Sequence, residues 1–142
     1  MLTGFEELTK PLSEAEMKQA ELIAECMLKS HVGQENIVTS TEICKGMNKY
    51  HPELPKLTDV RLRKEIFWLR VTDRCPLLMA TSRGYFVGEV SQEGEVDVRD
   101  GIRSVDERGY LIFATRDALL RQYKAAYENP TPIRTQYGKM LF

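Results

Sequence analysis

Apolar and polar positions alternate along this chain at spacings that divide it into elements. After Ser13-Glu14-Ala15-Glu16, a capping-box sequence in which a hydroxyl and a carboxylate each serve an orphan backbone amide, Met17, Ala20, Ala24, Met27 and Leu28 recur at helical spacing. Leu22 and Ile23 broaden that face, and His31-Val32-Gly33 stops the predicted helix after about Ser30. Asn36-Ile37-Val38-Thr39 is too short and too β-branched for a helix, so it reads as a small strand or an extended lead-in. Thr39-Ser40-Thr41-Glu42 repeats the capping box and predicts a second helix to about Tyr50, burying Ile43 and Met47. Pro52 and Pro55 close it, which leaves a connection longer than that of a minimal helix-turn-helix.

Residues 56–87 carry the strongest pattern. Thr58 is an N-cap for a third helix in which Leu62, Ile66 and Leu69 form one buried stripe. Arg61, Arg63, Lys64 and Phe67 fall off that stripe, so the helix is expected to present cations to its surroundings. Two short apolar runs follow, Leu77 to Ala80 and Tyr85 to Val87. Thr81-Ser82-Arg83-Gly84 joins them as a β-hairpin with a cation at its tip.

The order helix, short strand, helix, turn, basic helix, hairpin is that of a winged helix. Three helices share a core, the third exposes its outer face, and the hairpin is the wing. The residue patterns resemble a family, the small winged-helix DNA-binding proteins encoded by phages and prophages. The resemblance lies in Val32-Gly33-Gln34-Glu35-Asn36-Ile37-Val38-Thr39-Ser40-Thr41-Glu42-Ile43, in Thr58-Asp59-Val60-Arg61-Leu62-Arg63-Lys64 with Ile66 and Leu69-Arg70, and in Ala80-Thr81-Ser82-Arg83-Gly84-Tyr85-Phe86. It covers the middle of the chain and concerns shape more than the gene or operator served. What it implies is a protein that regulates transcription or replication in a mobile element.

Beyond the hairpin, Ser91 caps a further helical region. Val98, Ile102, Val105, Ile112, Leu119 and Tyr123 follow there in three- and four-residue steps, which suits packing back on the domain or pairing with a second copy in a homodimer. Gly101 and Gly109 weaken that helix and Arg116 interrupts its stripe, so a bend or two helices meeting near Gly109 is as consistent as one helix. The expected organisation is an arm at 1–12, a winged-helix domain at 13–90, a helical extension at 91–127 and a tail at 128–142. The fold class is α+β, mainly helical. Met140-Leu141-Phe142 gives the tail an apolar end that could dock on the domain, a symmetry mate or a protein partner.

A length of 142 residues supports one core without disulfides or metal, and 42% hydrophobic and 29% charged residues describe an ordinary globular chain. The opening residues lack the pattern of a signal peptide and no run is long enough to span a membrane, so a cytoplasmic protein is expected. Cys26, Cys44 and Cys75 form no close pair, which fits reduced thiols. The net charge of −1 argues against coating nucleic acid by charge alone, but its distribution is uneven. Residues 56–83 hold seven Lys and Arg against three acids, whereas residues 1–30 hold three Lys against six Glu.

That concentration defines the candidate chemistry. On a helix entering the major groove of double-stranded DNA, Arg61, Arg63 and Lys64 would meet guanine edges or phosphates, and the first-turn amides at Thr58 and Asp59 would meet a phosphate. Arg83 would reach a minor groove or a flanking phosphate, and Lys45 and Lys49 on the second helix would touch the backbone. Each has a plainer reading: a solvated face for the cations, a cap for Asp59. Phe67 and Trp68 are expected beneath the wing or the extension, and Arg70 and Arg74 in structural ion pairs. An enzyme is not expected and neither is a cofactor. His31 and His51 lie in turns without neighbours at metal-ligand spacing, and no Gly-rich phosphate loop is present. The alternative to DNA binding is a winged-helix module that holds a protein partner, favoured by the low total charge, the acidic first helix and the apolar tail.

Overall fold

The helix starts follow from their caps. In the computed structural model, which describes residues 11–128, Ser13 and Glu16 form the first capping box and helix α1 spans Glu14–Ser30. Thr39 and Glu42 form the second, opening α2 at Ser40–Tyr50. The Thr58 hydroxyl accepts from the Arg61 amide and opens α3 at Asp59–Val71. Strands β1 (Leu78–Thr81) and β2 (Gly84–Val87) pair antiparallel, with Leu78 opposite Val87 and Thr81 opposite Gly84. Helix α4 covers Gln92–Tyr123, its first turn capped by the Ser91 hydroxyl on the Gly94 amide, and a π-helical turn at Lys124–Glu128 follows. The described chain is thus a mainly helical α+β fold with one small sheet.

One apolar cluster joins these elements. Ala20, Ile23, Ala24 and Met27 of α1 meet Ile43 of α2, and Leu62, Ile66 and Leu69 of α3, with Leu57, Cys75, Leu78 and Val87 closing the ends. The long α2–α3 connection is pinned by polar brackets. The Asn48 side chain both donates to the Leu57 carbonyl (3.0 Å) and accepts from the Leu57 amide (2.8 Å), and Gln19 donates to the Pro55 carbonyl (2.7 Å). These bonds seat Leu57 in the core and aim the start of α3.

The stretch expected as a small strand is divided. Gln34–Asn36 is a 3-10 turn, and Val38 alone bridges β2, exchanging backbone hydrogen bonds with Tyr85 (2.9 and 2.8 Å). Val87 bonds back to the His31 carbonyl and accepts from Gly33, so β2 is tied to the α1–α2 connection along its length. Gly84 makes that possible. Its φ is +144°, and a Cβ there would fall 2.3 Å from the Val38 carbonyl oxygen.

Helix α4 continues through both Gly101 and Gly109, so of the alternatives the sequence leaves open it is one helix that forms. Gly101 has a packing reason: a Cβ would fall 2.1 Å from the terminal methyl of Met79 on β1. The chain divides into two compact units within α4, Met1–Ile102 and Arg103–Phe142. The arm is described only at its end, where Leu12 is buried; residues 1–10 and the tail from 129, with its apolar end, lie outside the described residues. No helix among the described residues is long and apolar enough to cross a membrane.

Gly84→Ala tests the hairpin's attachment. The left-handed φ and the backbone collision both oppose it, so the variant should lose about 2 kcal/mol or more in a denaturant titration. Ser82→Ala, in the same turn, should change stability by under about 0.5 kcal/mol.

Candidate nucleic-acid interface

Helix α3 has two flanks beside its buried stripe, and α1 covers one of them. Going round the helix from Leu62 in one direction, Glu65 and then Lys64 follow within about 160°, and both are buried, Glu65 at 0% and Lys64 at 6% exposure. Lys64 Nζ lies 3.4 Å from Glu16 Oε2, and Arg61 Nε lies 3.3 Å from the same oxygen. Arg61 also donates to the Lys56 carbonyl. Two cations expected on the outer face, Lys64 and Arg61, are therefore turned against the carboxylate of α1, which corrects their expected presentation to an external ligand.

Glu16 serves both helices. Its other oxygen accepts from the Ser13 amide at 3.1 Å, closing the capping box. Burial opposes its charge, but the Ser13 amide and the Lys64 ammonium outweigh that and hold Glu16 below its ordinary value. Glu65 is the opposite case. Burial, with the Glu16 charge adding to it, pushes its carboxyl up to about 8 against the partial relief of Arg61 and Lys64, and neither carboxyl oxygen has a hydrogen-bond partner. At neutral pH Glu65 is therefore largely the neutral acid, which lowers the electrostatic burden of the cluster.

Going round α3 in the other direction lie Asp59, Arg63, Phe67 and Arg70, all exposed. Arg63 Nε donates to the Asp59 carbonyl at 3.4 Å, a long contact within the helix. Phe67 is 60% exposed and Val71 59%, which corrects the expectation that Phe67 is covered. Trp68 does pack on the core, with the Arg74 guanidinium 4.4 Å above its ring and Arg74 paired to Glu21. Arg70 donates to the Leu78 carbonyl at 2.8 Å and ties α3 to the hairpin.

The sheet stands beside this outer face. Tyr85 of β2 is half-buried and its hydroxyl is pushed up by burial; Arg70 and Arg63 act the other way, and Asp59 and Cys44 add to the rise. Charges from both ends of α3 and the Cys44 thiol of α2 thus act on this one ring of β2. Thr58 is exposed at the N-cap of α3, one residue before Asp59. Lys45 and Lys49 are exposed on α2, Lys49 lying 5.3 Å from the Tyr50 ring centre. Arg83 is exposed in the hairpin turn, and with the Gln34 amide oriented to satisfy both neighbours, Gln34 accepts from Arg83 (3.1 Å) and donates to Asp97 (3.0 Å). The hairpin tip is held toward the 3-10 turn and the start of α4.

Glu16 caps α1 as its spacing predicts, but its pairing with Arg61 and Lys64 and the burial of Glu65 were not foreseen. The available signal was a capping-box carboxylate with a second oxygen to spare, and an acid beside Lys64 next to the core stripe. No group of three or more His, Cys, Asp or Glu among the described residues is placed to hold a metal ion. No family model, curated protein or solved structure matches the chain.

Glu65→Gln isolates the neutral acid. Because folding raises this carboxyl from its ordinary 4.5 to about 8, the stability it permits is intact below the lower value and is lost as pH rises through the upper one. Melting curves of the two proteins should run together near the lower value. Between the two values the variant should gain on the parent by about 1.4 kcal/mol per pH unit. A constant gap across that range would place an ionised Glu65 in the folded state.

Proposed function

We propose that this chain is a winged-helix protein that binds double-stranded DNA, with α3 in the major groove and the hairpin as its wing. The observation that supports this best is the outer face of α3. Arg63 is exposed there beside a hairpin whose turn carries an exposed Arg83, and the two cations that are not exposed have a structural occupation of their own. The contact set is Arg63 for base edges or phosphate, the first-turn amides at Thr58 and Asp59 for phosphate, Lys45 and Lys49 for the backbone, and Arg83 for a minor groove or flanking phosphate. Control of transcription or replication in a phage-type element is the role that the resemblance of the sequence suggests.

A second reading keeps the architecture and changes the ligand. Phe67 and Val71 form an exposed apolar strip on the same outer face, next to Arg63 and Arg70, and an aromatic ring with arginines beside it suits a protein contact. A protein partner would bury Phe67, whereas a duplex has little use for it.

Fluorescence anisotropy with a random duplex separates the two. A site with about four phosphate contacts should lose roughly a hundredfold in affinity between about 50 and 200 mM salt. Arg63→Glu and Arg83→Glu should each weaken binding, and Lys64→Met should lower stability while leaving binding in place. Absence of binding at the lower salt, with circular dichroism unchanged, would transfer the face to a protein partner.

A further inference from the structure

From Ile102 onward α4 exposes a seam that fits its own reverse. Ile102, Val105, Ile112, Leu119 and Tyr123 are all more than half exposed, and with Gly109 and Arg116 they follow alternating three- and four-residue steps, the pattern of a two-stranded coiled coil. Phe113 and Leu120, also exposed, widen it on one side. Gly109 and Arg116 are the two seam positions that are not apolar, and they decide the orientation. A parallel partner in register sets Gly109 against Gly109 and Arg116 against Arg116, leaving a void and a like-charge pair.

We propose that this face pairs with a second copy of the chain, antiparallel, about a twofold axis passing between Tyr110 and Leu111. In that register Gly109 lies opposite the partner's Ile112, a space opposite a projection, and Ile102 lies opposite the partner's Leu119. Arg116 lies opposite the partner's Val105, and Asp106 is one residue, about 1.5 Å, further along. Asp106 is on the flank that antiparallel helices bring together, so the guanidinium gains a carboxylate, and the twofold axis makes the pair occur twice. In the single chain Arg116 lies over the Phe113 ring, 4.8 Å from its centre, and among the described residues its acidic partner is its exposed neighbour Asp117, 3.1 Å away. The complementarity of small with large and of cation with acid argues for a second copy over an unrelated partner. The inference shares no residue with the DNA contacts and stands independently of them.

Sedimentation equilibrium on the full chain tests it. The parent should be a dimer, and Arg116→Asp or Asp106→Arg alone should weaken dimerisation about tenfold each. Both changes in one chain should restore it, since the two positions are about 15 Å apart along one helix and can meet only between chains. A monomeric parent, or a double variant no better than the singles while circular dichroism stays helical, overturns the proposal. Leu119→Cys in a Cys26→Ser background gives a second reading. Antiparallel pairing separates the two introduced thiols by about 25 Å and forbids a disulfide within the dimer, whereas a disulfide-linked dimer under mild oxidation marks a parallel pair and overturns it.

Discussion

The contact on which the rest depends is a single carboxylate oxygen. Oε2 of Glu16 takes Lys64 and Arg61 of α3, and it does so where Lys64 is almost wholly out of water. An ammonium in that position cannot be left unpaired, since removing one partner of a buried pair is strongly destabilising while the pair itself contributes little net stability. The interaction therefore acts less as glue than as a selector. Helix α1 must lie against α3 on the flank that brings Glu16 to Lys64, and the opposite flank, with Arg63 and Phe67, is left outside. The neutral acid at Glu65 belongs to the same arrangement. Ionised, Glu65 would be a buried carboxylate with no hydrogen-bond partner beside the charge of Glu16; protonated, it removes that desolvation cost and leaves Glu16 to serve both cations, of which Arg61 is partly in water.

A second constraint fixes what stands beside that outer flank. Strand β2 bonds to Val38 and to the His31–Gly33 backbone, so the hairpin is attached to the α1–α2 connection as well as to its own partner strand. A two-stranded hairpin alone is marginal in water, and here the extra bridges and the burial of Phe86 and Val87 supply the remaining support. Because Arg70 holds the Leu78 carbonyl from α3, the same hairpin is registered on the helix whose face it borders. The position of the candidate interface thus follows from backbone bonds around Gly84 and from one guanidinium.

The elements were legible because their signals are local. Both capping boxes, the Thr58 cap, the stripe Leu62, Ile66, Leu69 and the hairpin turn depend on residues within a few positions of one another, and the structure has them where the spacing predicts. The exposure of particular cations was not legible, and the reason is geometric. A helical wheel places Arg61, Lys64 and Arg63 all off the stripe, but it treats the two flanks alike. Which flank is covered depends on a carboxylate 48 residues before Lys64, a relation no periodicity carries. Gly101 shows the same limit. Its local reading is a helix weakness, and its tertiary role is to admit the Met79 side chain.

Internal pairing of Arg61 and Lys64 also sets how strongly one copy could hold a duplex. Of the cations concentrated between residues 56 and 83, those two are committed to Glu16, Arg70 to a carbonyl of the hairpin and Arg74 to Glu21 and the Trp68 ring. What remains on the proposed surface is a small set, and a chain of net charge −1 adds no general attraction to a polyanion. If this surface holds a duplex as proposed, its single-site affinity would be modest, and specificity would then have to come from shape and from a few placed donors. Joining two such sites converts the second binding event into an intramolecular one, and overall affinity rises far beyond that of either site when both can engage. The cationic economy of the proposed winged-helix core and the seam of α4 that no described residue covers would then answer one need: a protein that uses its charges to hold itself together gains most from acting in pairs.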